Sequence, residues 1–174
     1  MSPDSQPEFR LATTADANLL LDFMRDYYAF DGHRYDREAA HPALLGLLKN
    51  PVFGLAWVVL DSGTPVGYIV LCFGYSLEYL GRDAFIDEFY LLESHRGKGW
   101  GRQTLDFVRE QARLHHVRAI HLEVVRRNTA ALEFYRKAGF KDHGHHLMSW
   151  RCPDPKPPLA GSKDQAAASN HNER

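Results

Sequence analysis

Residues 95–105 read HRGKGWGRQTL (His95–Leu105), with glycine at 97, 99 and 101 and the cations Arg96, Lys98 and Arg102 around them. Glycines let a chain turn tightly and bring its N–H groups close to a ligand. The segment that follows has helical spacing, with Leu105, Val108 and Ala112 on one face. A helix start presents unpaired N–H donors and about half a positive elementary charge. The stretch therefore reads as a backbone cradle for phosphate, against the plainer alternative of a solvated turn. Two phosphate motifs fail on it. Gly-Lys is followed by Gly99 rather than Ser or Thr, and a Gly-x-Gly-x-x-Gly fingerprint meets Arg102 where its last glycine belongs.

Outward from the loop, the sequence alternates strands and helices. "FRLAT" (9–13) is a first strand, and Thr14 caps a helix running to about Ala29 with Leu20, Phe23, Met24 and Tyr27 on one face. Pro42 opens a second short helix that stops at Asn50-Pro51. "FGLAWVVL" (53–60) and "VGYIVLCF" (66–73) are apolar strands joined by the turn "DSGTP". "AFIDEFYLL" (84–92) is a strand carrying two adjacent acids, and "AIHLEVV" (119–125) is the next. "TAALEFYRKA" (129–138) is a helix that Gly139 closes, and "HHLMSW" (145–150) is a last strand. The order is β-α-α-β-β-β-α-β-α-β, an α/β (α+β) mixed central sheet flanked by helices.

Arg96-x-x-Gly99-x-Gly101, after a strand and opening a helix, resembles the pyrophosphate loop of the GNAT superfamily of acetyl-CoA-dependent N-acetyltransferases. "VVRRNTAALEFYRKAGF" (124–140) resembles that family's second segment, with Asn128, Ala131, Tyr135, Gly139 and Phe140 at its spacing. The two motifs are separated as in the family, and the resemblance runs from about Phe9 to Cys152. It implies a GNAT domain over residues 8–152. The proline-rich, then small and polar, stretch 153–174 is expected to be a disordered tail.

The resemblance implies acetyl-CoA as co-substrate, held by Arg96, Gly97, Lys98, Gly99, Trp100, Gly101 and Arg102. Asn128, a helix N-cap by type, would add a contact to the pantetheine arm. The backbones of Leu91 and Leu92 would pair with that arm as an extra strand and polarise the acetyl carbonyl. Tyr135 would be the general acid for the leaving thiolate, although Ala131, Phe134, Tyr135 and Ala138 also form an ordinary core stripe.

A primary amine with a pKa near 10.4 is neutral in roughly one molecule per few thousand at pH 7, so amine acetylation calls for a base. The family's general-base glutamate falls at Asp87, nine residues before Arg96. Glu88 is the longer rival. Strand alternation sends it to the opposite face, unless a β-bulge re-aims one of the two.

Acceptor pockets in this fold lie between the first helices and the central strands. Here "RDYYAFDGHRYD" and "GYSLEYLGRD" supply Tyr27, Tyr28, Asp31, His33, Tyr35, Asp36, Tyr75, Glu78 and Tyr79. Aromatic rings with carboxylates suit a cationic amine. The expected reaction is direct attack of a small-molecule primary amine on acetyl-CoA in a ternary complex. The alternatives are acetylation of a protein lysine or N-terminus, or a non-catalytic acyl-CoA sensor.

Composition fits that reading. A chain of 174 residues, 44% hydrophobic and 25% charged with formal net charge -1, is one globular domain's worth of sequence and gives no reason to expect nucleic-acid or membrane-surface binding. No apolar run approaches the roughly 20 residues of a transmembrane helix. The N-terminus lacks a signal-peptide pattern, and only Cys72 and Cys152 occur, so a reducing cytoplasm is expected. "HGHH" (143–146) lacks a further ligand at metal spacing, and no metal is expected. A homodimer is an expectation by analogy alone.

Overall fold

The structure is a computed structural model that describes residues 6–152; the expected tail at 153–174 lies outside the described residues. Its elements are β1 (Glu8–Leu11), α1 (Ala17–Asp31), α2 (Arg37–Lys49), β2 (Gly54–Asp61), β3 (Thr64–Ser76), β4 (Gly81–Leu91), α3 (Trp100–Leu114), β5 (Ala119–His121) and α4 (Thr129–Lys137). Contacts divide the chain into two units, Met1–Phe140 and Lys141–Arg174.

In the first unit the five strands lie in sequence order, antiparallel up to β4 and parallel between β4 and β5. Strand alternation sorts the apolar residues into two cores. Ala56, Val58, Tyr68 and Val70 pack with Leu20, Leu21 and Phe23 of α1 and Leu44 of α2. Trp57, Ile69, Leu71, Ala84 and Ile86 pack with Leu105, Val108 and Ala112 of α3 on the other side. This is the mixed sheet flanked by helices that the sequence predicts.

Local boundaries differ for identifiable reasons. The first cap is Thr13, whose N–H donates to Asp16 Oδ2 at 2.8 Å, ahead of a short turn of 3₁₀-helix. Helix α1 runs to Asp31, where Gly32 (φ 77°) takes the left-handed closing conformation. Helix α2 starts at Arg37, not at Pro42, because the Asp36 carboxylate accepts the N–H groups of Glu38 and Ala39 at 3.0 and 3.1 Å. Strand β5 is three residues long rather than seven.

The expected last strand does not form. In the second unit the described residues 141–152 carry no regular secondary structure and are exposed. Gly144 sits at φ 69°, outside extended geometry, and "HHLMSW" offers no clean apolar face, since His145 alternates with Leu147 and His146 with Met148.

The pairing of β5 with β4 covers Asp83–Phe85 only, while β4 continues through Ile86–Leu91. Beyond Phe85 the two strands part, and the candidate site lies around that opening.

Candidate active site

Asp87 is the extra residue of a β-bulge. Val70 faces Glu88 and Leu71 faces Ile86, which leaves Asp87 without a register partner on β3. Before the bulge, Ala84 and Ile86 point into the α3 core; after it, Tyr90 points into the α1/α2 core. One inserted residue therefore places Asp87 and Glu88 on the same face, the one covered by α1 and α2. This corrects the expectation from simple alternation that Glu88 points the opposite way.

The two carboxylates differ in setting. Glu88 is buried and accepts a hydrogen bond from the Tyr68 hydroxyl at 2.8 Å. Burial raises its pKa, against the lowering by hydrogen bonds from Tyr68 and Tyr28, and the neighbouring Asp87 charge raises it further. Asp87 keeps exposed surface, yet its surroundings are crowded enough that desolvation raises its pKa too. Burial pushes Tyr27 and Tyr28 up to about 12, and both feel the charges of Asp87 and Glu88. Tyr135 is also pushed up to about 12 by burial, with a smaller contribution from Tyr27. These phenols stay protonated at neutral pH, able to donate but not to act as bases.

Among the expected acceptor residues, the α1 group comes together. The Tyr28 ring packs against Tyr27, His33 and Tyr35 at centroid distances of 5.7, 6.3 and 5.6 Å. Asp31 holds His33 Nε2 at 2.8 Å and adds its charge beside Tyr27. Tyr35 donates to the Leu21 carbonyl and Asp36 caps α2, so both serve the fold. The hairpin group is not brought to the carboxylates: Tyr75 and Glu78 are exposed near the β3–β4 tip. Tyr79 packs on His121 at 5.0 Å, at the rim of a hollow of about 190 Å³ walled by Cys72, Gly74, Asp83, Phe85 and His121. Sequence reasoning missed Tyr68. Its signal was a hydroxyl inside the apolar run "VGYIVLCF", which demands a buried partner. It also missed Cys72 and Glu123, whose electrostatic contacts reach Asp87 and Tyr27.

On the other side of β4, the Leu92 N–H donates to the Val66 carbonyl at 2.8 Å. Antiparallel alternation then turns the polar groups of Tyr90 and Glu88 toward β3, and those of Phe89 and Leu91 away from it. Leu91 thus faces the opening where β5 has parted, whereas Leu92 is engaged in the sheet. Gly97 and Gly99 have φ of 71° and 85°, the left-handed region that favours glycine, and a Cβ at Gly97 would meet nothing. Gly101 plays another part: a Cβ there would lie 3.1 Å from the Phe134 ring, so its bareness lets α4 pack on α3. The Trp100 side chain is buried with Val59, Val66 and Leu91, leaving its backbone N–H at the start of α3.

The cations are arranged unequally. Arg96 Nε donates to the Leu91 carbonyl at 2.8 Å while its guanidinium stacks on Phe30 and Tyr90. Lys98 reaches the Ser94 carbonyl at 2.7 Å. Arg102 turns to Asp106 and to the Lys137 carbonyl at the end of α4. Asn128 caps α4, its side chain accepting the Ala131 N–H at 3.1 Å. Among the described residues no group of three His, Cys, Asp or Glu is placed to hold a metal, and no helix is long and apolar enough to cross a membrane.

Residues 17–140 match the model of the acetyltransferase (GNAT) family. The chain is 35% identical over 65 residues to the uncharacterized N-acetyltransferase YycN of Bacillus subtilis, a match spanning 37% of this chain and 42% of that relative. An integron cassette protein from the mobile metagenome of Cole Harbour Salt Marsh superposes with a TM-score of 0.74 at 32% identity, covering 84% of this chain and 91% of the other. A structure from Clostridium acetobutylicum, named as a predicted acetyltransferase with acetyl-CoA, has a TM-score of 0.71 at 18% identity, covering 83% of this chain and 96% of the other.

Proposed function

The chain belongs to the GNAT acetyltransferase family, and from that premise we propose that it is an acetyl-CoA-dependent N-acetyltransferase. Its acceptor on this reading is the primary amine of a small molecule, attacking directly in a ternary complex. The observation that carries the reading is the bulge at Asp87, which sets an accessible carboxylate beside Glu88, Tyr27 and Tyr28, next to the parting of β4 and β5.

The residues fit the donor. Gly97 and Gly99 form an open left-handed turn at the N-terminus of the 15-residue helix α3, suited to a pyrophosphate. The backbone of Phe89 and Leu91 faces the opening and is suited to pair with an extended amide-bearing arm. Bound acetyl-CoA supplies the activated acetyl group; the protein supplies positioning and proton transfer. Asp87 is the base that takes a proton from the acceptor ammonium, directly or through a water. Its raised pKa moves it from the ordinary carboxylate range toward the working pH. Glu88, buried under two phenols, holds Tyr28 in place rather than exchanging protons with solvent. The Leu91 N–H polarises the acetyl carbonyl. Tyr135, protonated at neutral pH, donates to the departing sulfur. The acetyl group passes to nitrogen as the carbon–sulfur bond breaks; of the two protons the ammonium gives up, one goes to Asp87 and the second, shed by the acylated nitrogen, replaces the one that Tyr135 gives to the departing thiolate.

The aromatic cluster of Tyr27, Tyr28 and His33 beside Asp31 favours a compact cationic acceptor. A panel of primary amines with acetyl-CoA, followed by release of free thiol, tests the reading. Turnover of small amines supports it. Turnover of peptide lysines alone moves the acceptor to protein, and tight coenzyme A binding with no turnover of any amine makes the domain a sensor.

A further inference from the structure

The loop that carries the glycines is braced from below. After β4 the chain makes a turn of 3₁₀-helix, Glu93–His95, and buries the His95 side chain. His95 Nε2 lies 3.1 Å from Asp61 Oδ2, and Nδ1 lies 2.9 Å from the Ser94 hydroxyl. Asp61 is the last residue of β2, and its side chain is nearly as buried as the imidazole, 14% against 8% exposed. In the tautomer that carries its proton on Nε2, the ring donates to Asp61 and Nδ1 accepts from the Ser94 hydroxyl. The ring also meets Trp100 edge-on at 4.9 Å, and Trp100 is the first residue of α3.

These contacts fix both ends of a glycine-rich segment. A Cβ at Gly97 would meet nothing and one at Gly99 only the end of the Gln103 side chain, and glycine loses more conformational freedom on ordering than any other residue. A loop that had to be ordered by its ligand would bind it more weakly, because the ordering free energy is subtracted from the affinity. Here one end hangs on the Asp61–His95 bond and the other on Trp100, packed among Val59, Val66 and Leu91. The Ser–His–Asp order resembles a hydrolytic triad. However, Ser94 and His95 are adjacent residues of one short turn, and Ser94 lies seven positions along the chain from Asp87. Several of those positions are extended strand at about 3.3 Å per residue, which carries the hydroxyl away from the acceptor side. The arrangement braces and does not attack.

We propose that Asp61 and His95 are positioning residues of the donor site, holding the glycine loop in the shape that receives a pyrophosphate. The inference rests on the reading of that loop as the coenzyme A site. It assigns to a buried Asp–His hydrogen bond, remote from the reacting atoms, control over donor affinity and not over the chemical step.

The test is coenzyme A binding by calorimetry, together with steady-state kinetics on acetyl-CoA and on S-acetylpantetheine, which lacks the pyrophosphate. Asp61→Ala and His95→Phe should raise the Kd for coenzyme A and the KM for acetyl-CoA about tenfold, the scale of a lost charge-assisted hydrogen bond. The kcat at saturating acetyl-CoA should stay within about twofold, and kcat/KM for S-acetylpantetheine should not change. His95→Gln, which can still donate to Asp61, should recover most of the loss. Asp61→Asn keeps the side-chain shape and carries the same test at smaller amplitude if Asp61→Ala fails to fold. Folded variants with an unchanged coenzyme A Kd overturn the proposal. So does an equal loss on S-acetylpantetheine, the signature of a general structural role. Wild-type protein that binds no coenzyme A overturns the reading of the loop itself, and that outcome is distinguishable from both.

Discussion

The two stretches of chain that meet at β4 make their sites in opposite ways. Downstream, the proposed donor site is built from backbone: two left-handed glycines, a helix start and the outward-facing amides of Phe89 and Leu91. Upstream, the proposed acceptor site is built from side chains that reach each other only because the fold is made: Asp87 and Glu88 from β4, Tyr27 and Tyr28 from α1, Tyr68 from β3. On that reading the first kind should tolerate exchange of most side chains and fail when a glycine is replaced. The second fails at single side chains and hangs on one inserted residue.

Asp87→Ala is the sharpest cut across that comparison. It should lower kcat with a primary amine roughly 10²- to 10⁴-fold, the usual worth of a general base, while calorimetry shows the coenzyme A Kd unchanged. A matching loss of coenzyme A affinity would mean the two sites are not separable.

Gly99→Val is the reciprocal cut. A β-branched residue at φ 85° is strained by about 1–3 kcal/mol, so coenzyme A should bind on the order of 10- to 100-fold more weakly. Amine turnover at saturating donor should fall much less. Tyr135→Phe removes only a hydroxyl and should lower kcat about tenfold, less than the usual worth of a general acid because a thiolate with a pKa of about 8.5 departs readily unprotonated, with a melting temperature close to wild type because the ring packing on Phe134 and Phe140 is kept.

Glu88→Gln carries the smallest effect and reads on stability. The folded-state pKa of Glu88 is raised, so its protonated form is favoured by folding. That contribution is present below the ordinary glutamate range and is lost as pH rises through the raised value. The melting temperature of Glu88→Gln relative to wild type should therefore increase from pH 4 to pH 8 in a thermal-denaturation series. A constant difference would show that Glu88 is not desolvated.

The same contrast explains what was legible beforehand. The turn into α3 is legible in eleven consecutive residues because its geometry is local: Gly97 and Gly99 take left-handed φ just ahead of the helix. The N-cap at Asn128 and the closing Gly139 were legible for the same reason, and both are where the spacing puts them. The facing of Glu88 was not legible, because a bulge is a property of the register between β3 and β4 and no local pattern announces it. Alternation gave the wrong face for a sound reason. The sequence puts Gly101 in the cradle, whereas the space its missing side chain leaves is taken by the Phe134 ring, 33 residues further along the chain. Tyr75 and Glu78 share the residue types of the α1 cluster, but the hairpin holds them at its exposed end. Composition alone could not separate the two groups.

The most direct test of the central claim, that Asp87 deprotonates the acceptor, is the pH dependence of kcat for wild type and Asp87→Ala with one primary amine at saturating acetyl-CoA. Raising the pH toward the amine's own pKa, about 10.4, supplies the neutral nucleophile without a base. The wild-type to Asp87→Ala ratio should therefore shrink steadily from pH 7 to pH 9.5. A ratio that stays constant across that range would contradict the assignment.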